Sequence, residues 1–107
     1  MKEQVDLMSA YKLTGGETLG IELGSTRIKA VLIDENCNPV ASGSHNWENK
    51  LENGYWSYSL DDVWAGIRDA YSSLNREVLR LSGSYIKTLS AIGFSAMMHG
   101  YLPFDKN

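Results

Sequence analysis

A single cysteine, Cys37, stands among 107 residues. No internal disulfide is available, so a reducing, cytoplasmic compartment is the expected setting. Cysteine and histidine never fall at the spacing of a metal site. The longest uninterrupted apolar run is the short stretch Ala30 to Ile33, far below what a membrane-spanning helix needs. Residues 1 to 18 carry Glu3, Asp6 and Glu17 among scattered apolar side chains, which does not read as the apolar segment of a secretory leader. Basic charge is scarce and dispersed: ten Lys and Arg against thirteen Asp and Glu, for a net charge of -3. That argues against a protein that grips nucleic-acid backbones, so no nucleic acid and no membrane are expected as partners.

What remains is ordinary globular material, 43% hydrophobic and 21% charged, of a length that makes one small domain or a piece of a larger one. Residues 1–18 read as an N-terminal extension. Val5, Leu7, Met8, Tyr11 and Leu13 suit a short helical face that ends at Gly15-Gly16. Leu19, Ile21 and Leu23 then alternate with Gly20, Glu22 and Gly24, the period of a strand with one apolar face. Gly24-Ser25-Thr26 is a tight connection into a second strand, Arg27 to Asp34. Its two faces are both mostly apolar, which predicts cover on both sides. Glu35 to Pro39 has turn composition, and Val40 to Trp47 reads as a third, edge strand closing an antiparallel meander. Glu48 to Ser57 reads as a loop.

The clearest element is a helix from Leu60 to Leu81. Leu60, Val63, Trp64, Ile67, Tyr71, Leu74, Val78 and Leu81 form one apolar stripe. Ser59 with Asp62 makes an N-terminal capping pattern, and Gly83 a stop. Gly66 within the helix costs about 1 kcal/mol relative to alanine, and close packing against a sheet is the ordinary reason to keep it. Lys87 to Ser95 has the composition of a buried parallel strand, with Ala96 to His99 as the loop at its end. The order β-β-β-α-β predicts an α/β mixed sheet whose fourth strand returns parallel to the first.

Three groups of residues can carry chemistry. Gly24, Ser25 and Thr26 offer backbone N–H groups and hydroxyls unobstructed by large side chains. Lys29 adds a cation, and Glu22 adds a carboxylate able to hold a hydrated Mg²⁺ or a water. A nucleotide phosphate tail needs this combination, yet a plain hairpin turn explains the same Gly-Ser-Thr. Met98 and His99 lie just beyond a parallel strand, where open sheets bind ligands. A core methionine and a satisfied loop histidine would look the same. Tyr55, Trp56 and Tyr58 can stack on a sugar face or cap the start of the helix, with Trp64 in the core. His45 and Cys37 show no convergent partners in the sequence.

These residues resemble a known family. Glu22-Leu23-Gly24-Ser25-Thr26-Arg27-Ile28-Lys29 resembles the first phosphate motif of the sugar kinase, Hsp70 and actin superfamily. The stretch Asn53 to Trp64 is similar to the approach to the first helix of the FGGY carbohydrate kinases. Ala91-Ile92-Gly93-Phe94-Ser95 with Met98-His99-Gly100 resembles the sugar-side strand and loop of xylulokinases within that family. The resemblance covers residues 19–107 and implies a ribonuclease H-like, actin-like ATPase fold, of which this chain would be the incomplete N-terminal part. It further implies transfer of the ATP γ-phosphate, with Mg²⁺, to a hydroxyl of a small sugar such as xylulose. Gly24, Ser25, Thr26 and Lys29 would serve the phosphates, Glu22 the metal through water, and Met98 and His99 the sugar. No catalytic base is expected in this chain, which alone should be inactive, and a homodimer is one expectation for the complete protein. Two departures stand out: Glu22 where the family usually has Asp, and Met97 where xylulokinases often have Gln. Two other readings share the scaffold. One is a non-catalytic sugar- or nucleotide-binding domain. The other is a ribonuclease H-like nuclease, disfavoured by the missing basic face.

Overall fold

The computed structural model describes residues 11–48, 50–52 and 54–96. Three strands, β1 (Thr18–Leu23), β2 (Arg27–Ile33) and β3 (Pro39–Asn46), form the expected antiparallel meander. A small hairpin, β4 (Lys50–Glu52) and β5 (Tyr55–Ser57), precedes the long helix α1 (Leu60–Ser82), and β6 (Ala91–Ala96) completes the main sheet. The sheet order is β3-β2-β1-β6, with β6 parallel to β1 and β3 on the opposite edge.

The helix forms and ends where its caps dictate. Ser59 Oγ accepts the Asp62 N–H at 3.0 Å, satisfying one of the donors that the first turn leaves over. Gly83 adopts the left-handed conformation at φ 84° and donates its N–H to the Leu79 carbonyl at 2.9 Å, closing the last turn. What differs is the phase of the buried face. The line that meets the sheet is Gly66, Ala70, Leu74 and Val78, flanked by half-buried Val63, Ile67, Tyr71 and Leu81. Leu60 and Trp64, expected in the core, are 43% and 52% exposed. Small residues at the centre of the contact explain the rotation. A Cβ added to Gly66 would stand 2.5 Å from Ile28 Cδ1, and one added to Gly43 on β3 would stand 2.4 Å from the Leu74 backbone nitrogen. The helix backbone thus lies directly on β3, a distance that larger side chains would not allow.

The core is built from Leu19, Ile21, Ile28, Ala30, Leu32 and Ala41 on the sheet with Ala70, Leu74 and Val78 on α1. Alternation puts Lys29, Val31 and Ile33 on the other side of β2, where they are only half-buried. The strand is therefore covered on one face rather than both. The fourth strand departs further. All six residues of β6 are exposed, Phe94 at 67% and Ile92 at 54%, although a buried strand was expected. Its apolar composition is real, but α1 packs on β3 and β2 and does not extend over this edge. The strand also starts at Ala91 rather than Lys87.

Two further corrections concern the middle of the chain. Glu48 to Ser57 is not a plain loop, since it carries the β4–β5 hairpin, with Gly54 at φ 84° supplying a turn conformation that glycine adopts freely. His45 does have a partner. Its Nδ1 lies 2.9 Å from Asp69 Oδ2, tying β3 to α1. Cys37 is exposed in the β2–β3 turn at φ 66°.

The segment before β1 is fastened by one carboxylate. Glu17 is fully buried and accepts from the Tyr11 hydroxyl, from the Thr14 N–H at 2.9 Å and from the Gly15 N–H at 3.0 Å. Burial works against its charged form, but the hydrogen bonds from Tyr11, Thr14 and Gly15 outweigh it and hold the group below its ordinary value of 4.5. Burial, and then the bond to Glu17, push the Tyr11 phenol well above its usual range. The Glu17 carbonyl also accepts the Ser90 N–H at 2.8 Å, joining the start of β1 to the approach to β6. Val5, Leu7 and Met8 lie outside the described residues.

Two outcomes follow. Gly43→Ala should cost about 2–3 kcal/mol, because the new methyl meets helix backbone that cannot step aside; a urea midpoint unchanged from wild type would contradict the contact. A carboxylate with a depressed folded pKa stabilises above its unfolded pKa and stops doing so as pH falls through the folded one. The melting-temperature advantage of wild type over Glu17→Gln should therefore hold from neutral pH down to about 5 and shrink below about 4.5. A difference that stays constant from pH 7 to pH 3 would show that Glu17 is not held as a carboxylate.

Candidate functional site

The site begins at the β1–β2 turn. Gly24 donates its N–H to the Arg27 carbonyl at 2.9 Å. A Cβ at Gly24 would approach that same oxygen to 2.9 Å, so the tight turn needs a glycine. Ser25, Thr26 and Arg27 are exposed. Beyond the turn, the register sets Glu22 opposite Lys29 on the neighbouring strand, and Ser95 opposite Glu22 on the other side. Since Ile21 and Ile28 face the helix, alternation places Glu22, Lys29 and Ser95 in one row across the bare face of the sheet.

That row lines a groove of about 400 Å³ together with Arg27, Val31 and Phe94. Gly20 and Gly93, register partners on β1 and β6, leave its floor without side chains. The groove therefore offers two cations, Arg27 and Lys29, one carboxylate, Glu22, and a hydroxyl, Ser95. The turn at its end adds exposed hydroxyls and backbone donors. Oriented N–H groups and fixed cations attract an anion, and a neighbouring carboxylate suits a hydrated cation riding on that anion. Among the described residues no group of three or more His, Cys, Asp or Glu could cage a metal directly. A lone carboxylate nevertheless fits Mg²⁺, which usually keeps several waters and takes one or two protein ligands.

Behind the turn stand two aromatic residues whose role the sequence reading missed. The Trp47 indole N–H donates to the Gly24 carbonyl at 2.8 Å, and its backbone N–H to the Thr26 carbonyl at 3.1 Å. The Tyr58 hydroxyl donates to the Ser25 carbonyl at 2.5 Å. The two rings pack with centroids 4.3 Å apart. Strand β3 ends at Asn46, and Trp47, expected as its last residue, instead turns inward and is buried. The signal was the register: Asn46 pairs with Arg27, so the next residue along β3 must meet Thr26. Of the residues read from sequence, Gly24, Ser25, Thr26, Lys29 and Glu22 thus gather around one turn and one groove. Met98 and His99 lie outside the described residues, as does Asn53.

A mixed sheet of three meander strands with a helical return to a fourth, parallel strand is the arrangement of the ribonuclease H-like, actin-like class. The comparisons narrow that class. The model of the N-terminal domain of the FGGY family of carbohydrate kinases matches residues 18–107, and the chain belongs to that family. Among solved structures, it is similar to one described as a xyloylose kinase from Brucella ovis, at 27% identity and a TM-score of 0.65 over 78% of this chain and 17% of that one. It is also similar to a Plasmodium falciparum glycerol kinase with ADP, at 23% identity and a TM-score of 0.53 over 76% of this chain and 16% of that one. That second likeness shows the fold alone. No curated protein matches the chain. The chain spans about a sixth of the length of these two kinases. Family membership removes the nuclease alternative.

Proposed function

We propose that this chain is the N-terminal part of a kinase that transfers the γ-phosphate of ATP to a hydroxyl of a small sugar, a ketopentose such as xylulose being the preferred substrate class. The observation that carries the reading is the β1–β2 turn, whose carbonyls are bonded back into the protein between strands that bear Glu22 and Lys29. Family membership supports sugar phosphorylation in general, and the likeness to the Brucella ovis protein supports the ketopentose.

Gly24, Ser25, Thr26 and Lys29 take the nucleotide phosphates in this reading, the turn through N–H and hydroxyl donors and Lys29 through its charge. Glu22 serves Mg²⁺ through water, and the metal would supply charge neutralisation on the phosphates. Met98 and His99 line the sugar pocket. No residue here is assigned the base, so the chain by itself is inactive. The division into an extension over 1–18 and a kinase domain segment from 19 onward belongs to the same proposal. So do a cytoplasmic setting and a homodimer for the complete protein. No described helix is long and apolar enough to cross a membrane. A second reading, a sugar- or nucleotide-binding domain without catalysis, draws on Glu22. Its carboxylate sits one methylene farther out than the family's usual Asp and moves the metal position.

ADP release by the complete protein, measured with Mg-ATP against a panel of ketopentoses and polyols, tests the reading. Sugar-stimulated turnover with at least one ketopentose is expected, and none with any of them would overturn it. Calorimetry separates the second reading, which requires tight sugar binding with no turnover. Lys29→Met should lower kcat/KM for ATP about 10- to 100-fold, the worth of one charged hydrogen bond to phosphate. The 107-residue chain alone should give no sugar phosphate above background.

A further inference from the structure

The pair behind the turn does more than fill space. In a trans peptide the N–H points opposite to the C=O across one rigid plane. Whatever fixes a carbonyl therefore aims the next residue's N–H the other way. The Gly24 carbonyl is held by the Trp47 indole at 2.8 Å, which turns the Ser25 N–H away from the aromatic pair. The Ser25 carbonyl is held by the Tyr58 hydroxyl at 2.5 Å, which does the same for the Thr26 N–H. The Thr26 carbonyl is held by the Trp47 backbone at 3.1 Å and closes the set. Among the described residues no acceptor meets the N–H of Ser25 or Thr26.

A peptide turn without these donors can rotate its planes and present a carbonyl to the ligand. To a phosphate that is a repulsive contact, because both partners are acceptors. We propose that Trp47 and Tyr58 are positioning residues that lock the 24–25 and 25–26 peptide planes with their N–H groups toward the nucleotide phosphates. The proposal rests on the kinase reading above. The ring contact, 4.3 Å between centroids, makes the two donors one unit. Trp47 is 8% exposed and wedged at the end of β3, while Tyr58 stands one residue ahead of the helix cap Ser59. The position of α1 thus reaches the phosphate turn through a single hydroxyl.

Steady-state kinetics of the complete protein decide it, with wild type measured first. Tyr58→Phe keeps the ring and removes only the hydroxyl, and Trp47→Phe keeps the backbone N–H and removes the indole donor. Each should raise KM for Mg-ATP about three- to tenfold, as expected for one lost hydrogen bond. KM for the sugar and, for Tyr58→Phe, the melting temperature should stay at wild-type values. A merely structural role would not separate the two substrates. ATP KM within twofold of wild type in both variants would overturn the proposal, and so would equal rises for both substrates with a lowered melting temperature. If Trp47→Phe does not fold, Tyr58→Phe decides alone. Wild type that consumes no ATP would sink the kinase reading and the proposal with it, whereas active wild type with unaffected variants sinks only the positioning role.

Discussion

The contact on which the rest depends is the one between the backbone of α1 and the backbone of β3. Gly43 lies under Leu74 and Ala70, whose backbone atoms leave no room for a methyl group on the strand. This closeness sets the height of the helix over the sheet, and with it the position of both helix ends. His45 and Asp69 fasten the same two elements near the middle of the helix. The N-terminal end of α1 carries Ser59 and, just before it, Tyr58; the end of β3 carries Trp47. One packing decision therefore delivers two aromatic residues to the back of the β1–β2 turn. The turn's conformation is fixed from outside, by elements that are distant in sequence, as well as by the glycine it requires at position 24.

Cover is uneven across the sheet, and the unevenness defines the site. The helix buries one face of β2 and β3, while the opposite face is left with Lys29, Val31 and Glu22 as its neighbours. Because side chains alternate, an apolar set committed to the core commits the intervening set to the groove. Ile21, Ile28 and Ala30 thus decide, by being buried, that Glu22 and Lys29 face each other on the bare side. Chemistry and core are two readings of one register, and a slip of a single residue would exchange them. Glu17 guards against such a slip at the base of β1, where its side chain gathers residues 11 to 15 and its carbonyl holds Ser90 beside β6.

Much of this was legible from periodicity. The meander, the helix with both caps and the parallel return of the fourth strand follow from alternation, from Ser59 and Gly83, and from handed crossover. The tight β1–β2 turn was legible as small residues followed by a lysine. What failed did so for identifiable reasons. A stripe count weights large apolar residues, so it found Leu74 and Val78 but also took in Leu60 and Trp64 and passed over Gly66 and Ala70. The true line of closest approach runs through Gly66 and Ala70, where smallness is what counts. Apolar composition marked β6 as buried, but burial is decided by what lies over a strand, and α1 sits elsewhere. The polar stretch around Gly54 was read as loop, although it carries the β4–β5 hairpin. Trp47 was invisible as a site residue, and Tyr58 was read only as a sugar-stacking or helix-capping ring, because their contacts are to three carbonyls, which no side-chain motif records.

The exchange of the family's usual Asp for Glu22 can now be placed against that geometry. Lengthening a carboxylate by one methylene carries its charge farther from β1, and the nearest fixed cation in register is Lys29 on β2. The glycines at 20 and 93 keep the floor beside it open, so the longer side chain has space to fold back over the sheet. The groove also carries Arg27, a second cation. Asp and Glu carry the same charge, so the exchange alters the reach of the carboxylate across the groove and leaves its charge balance with Lys29 and Arg27 as it was.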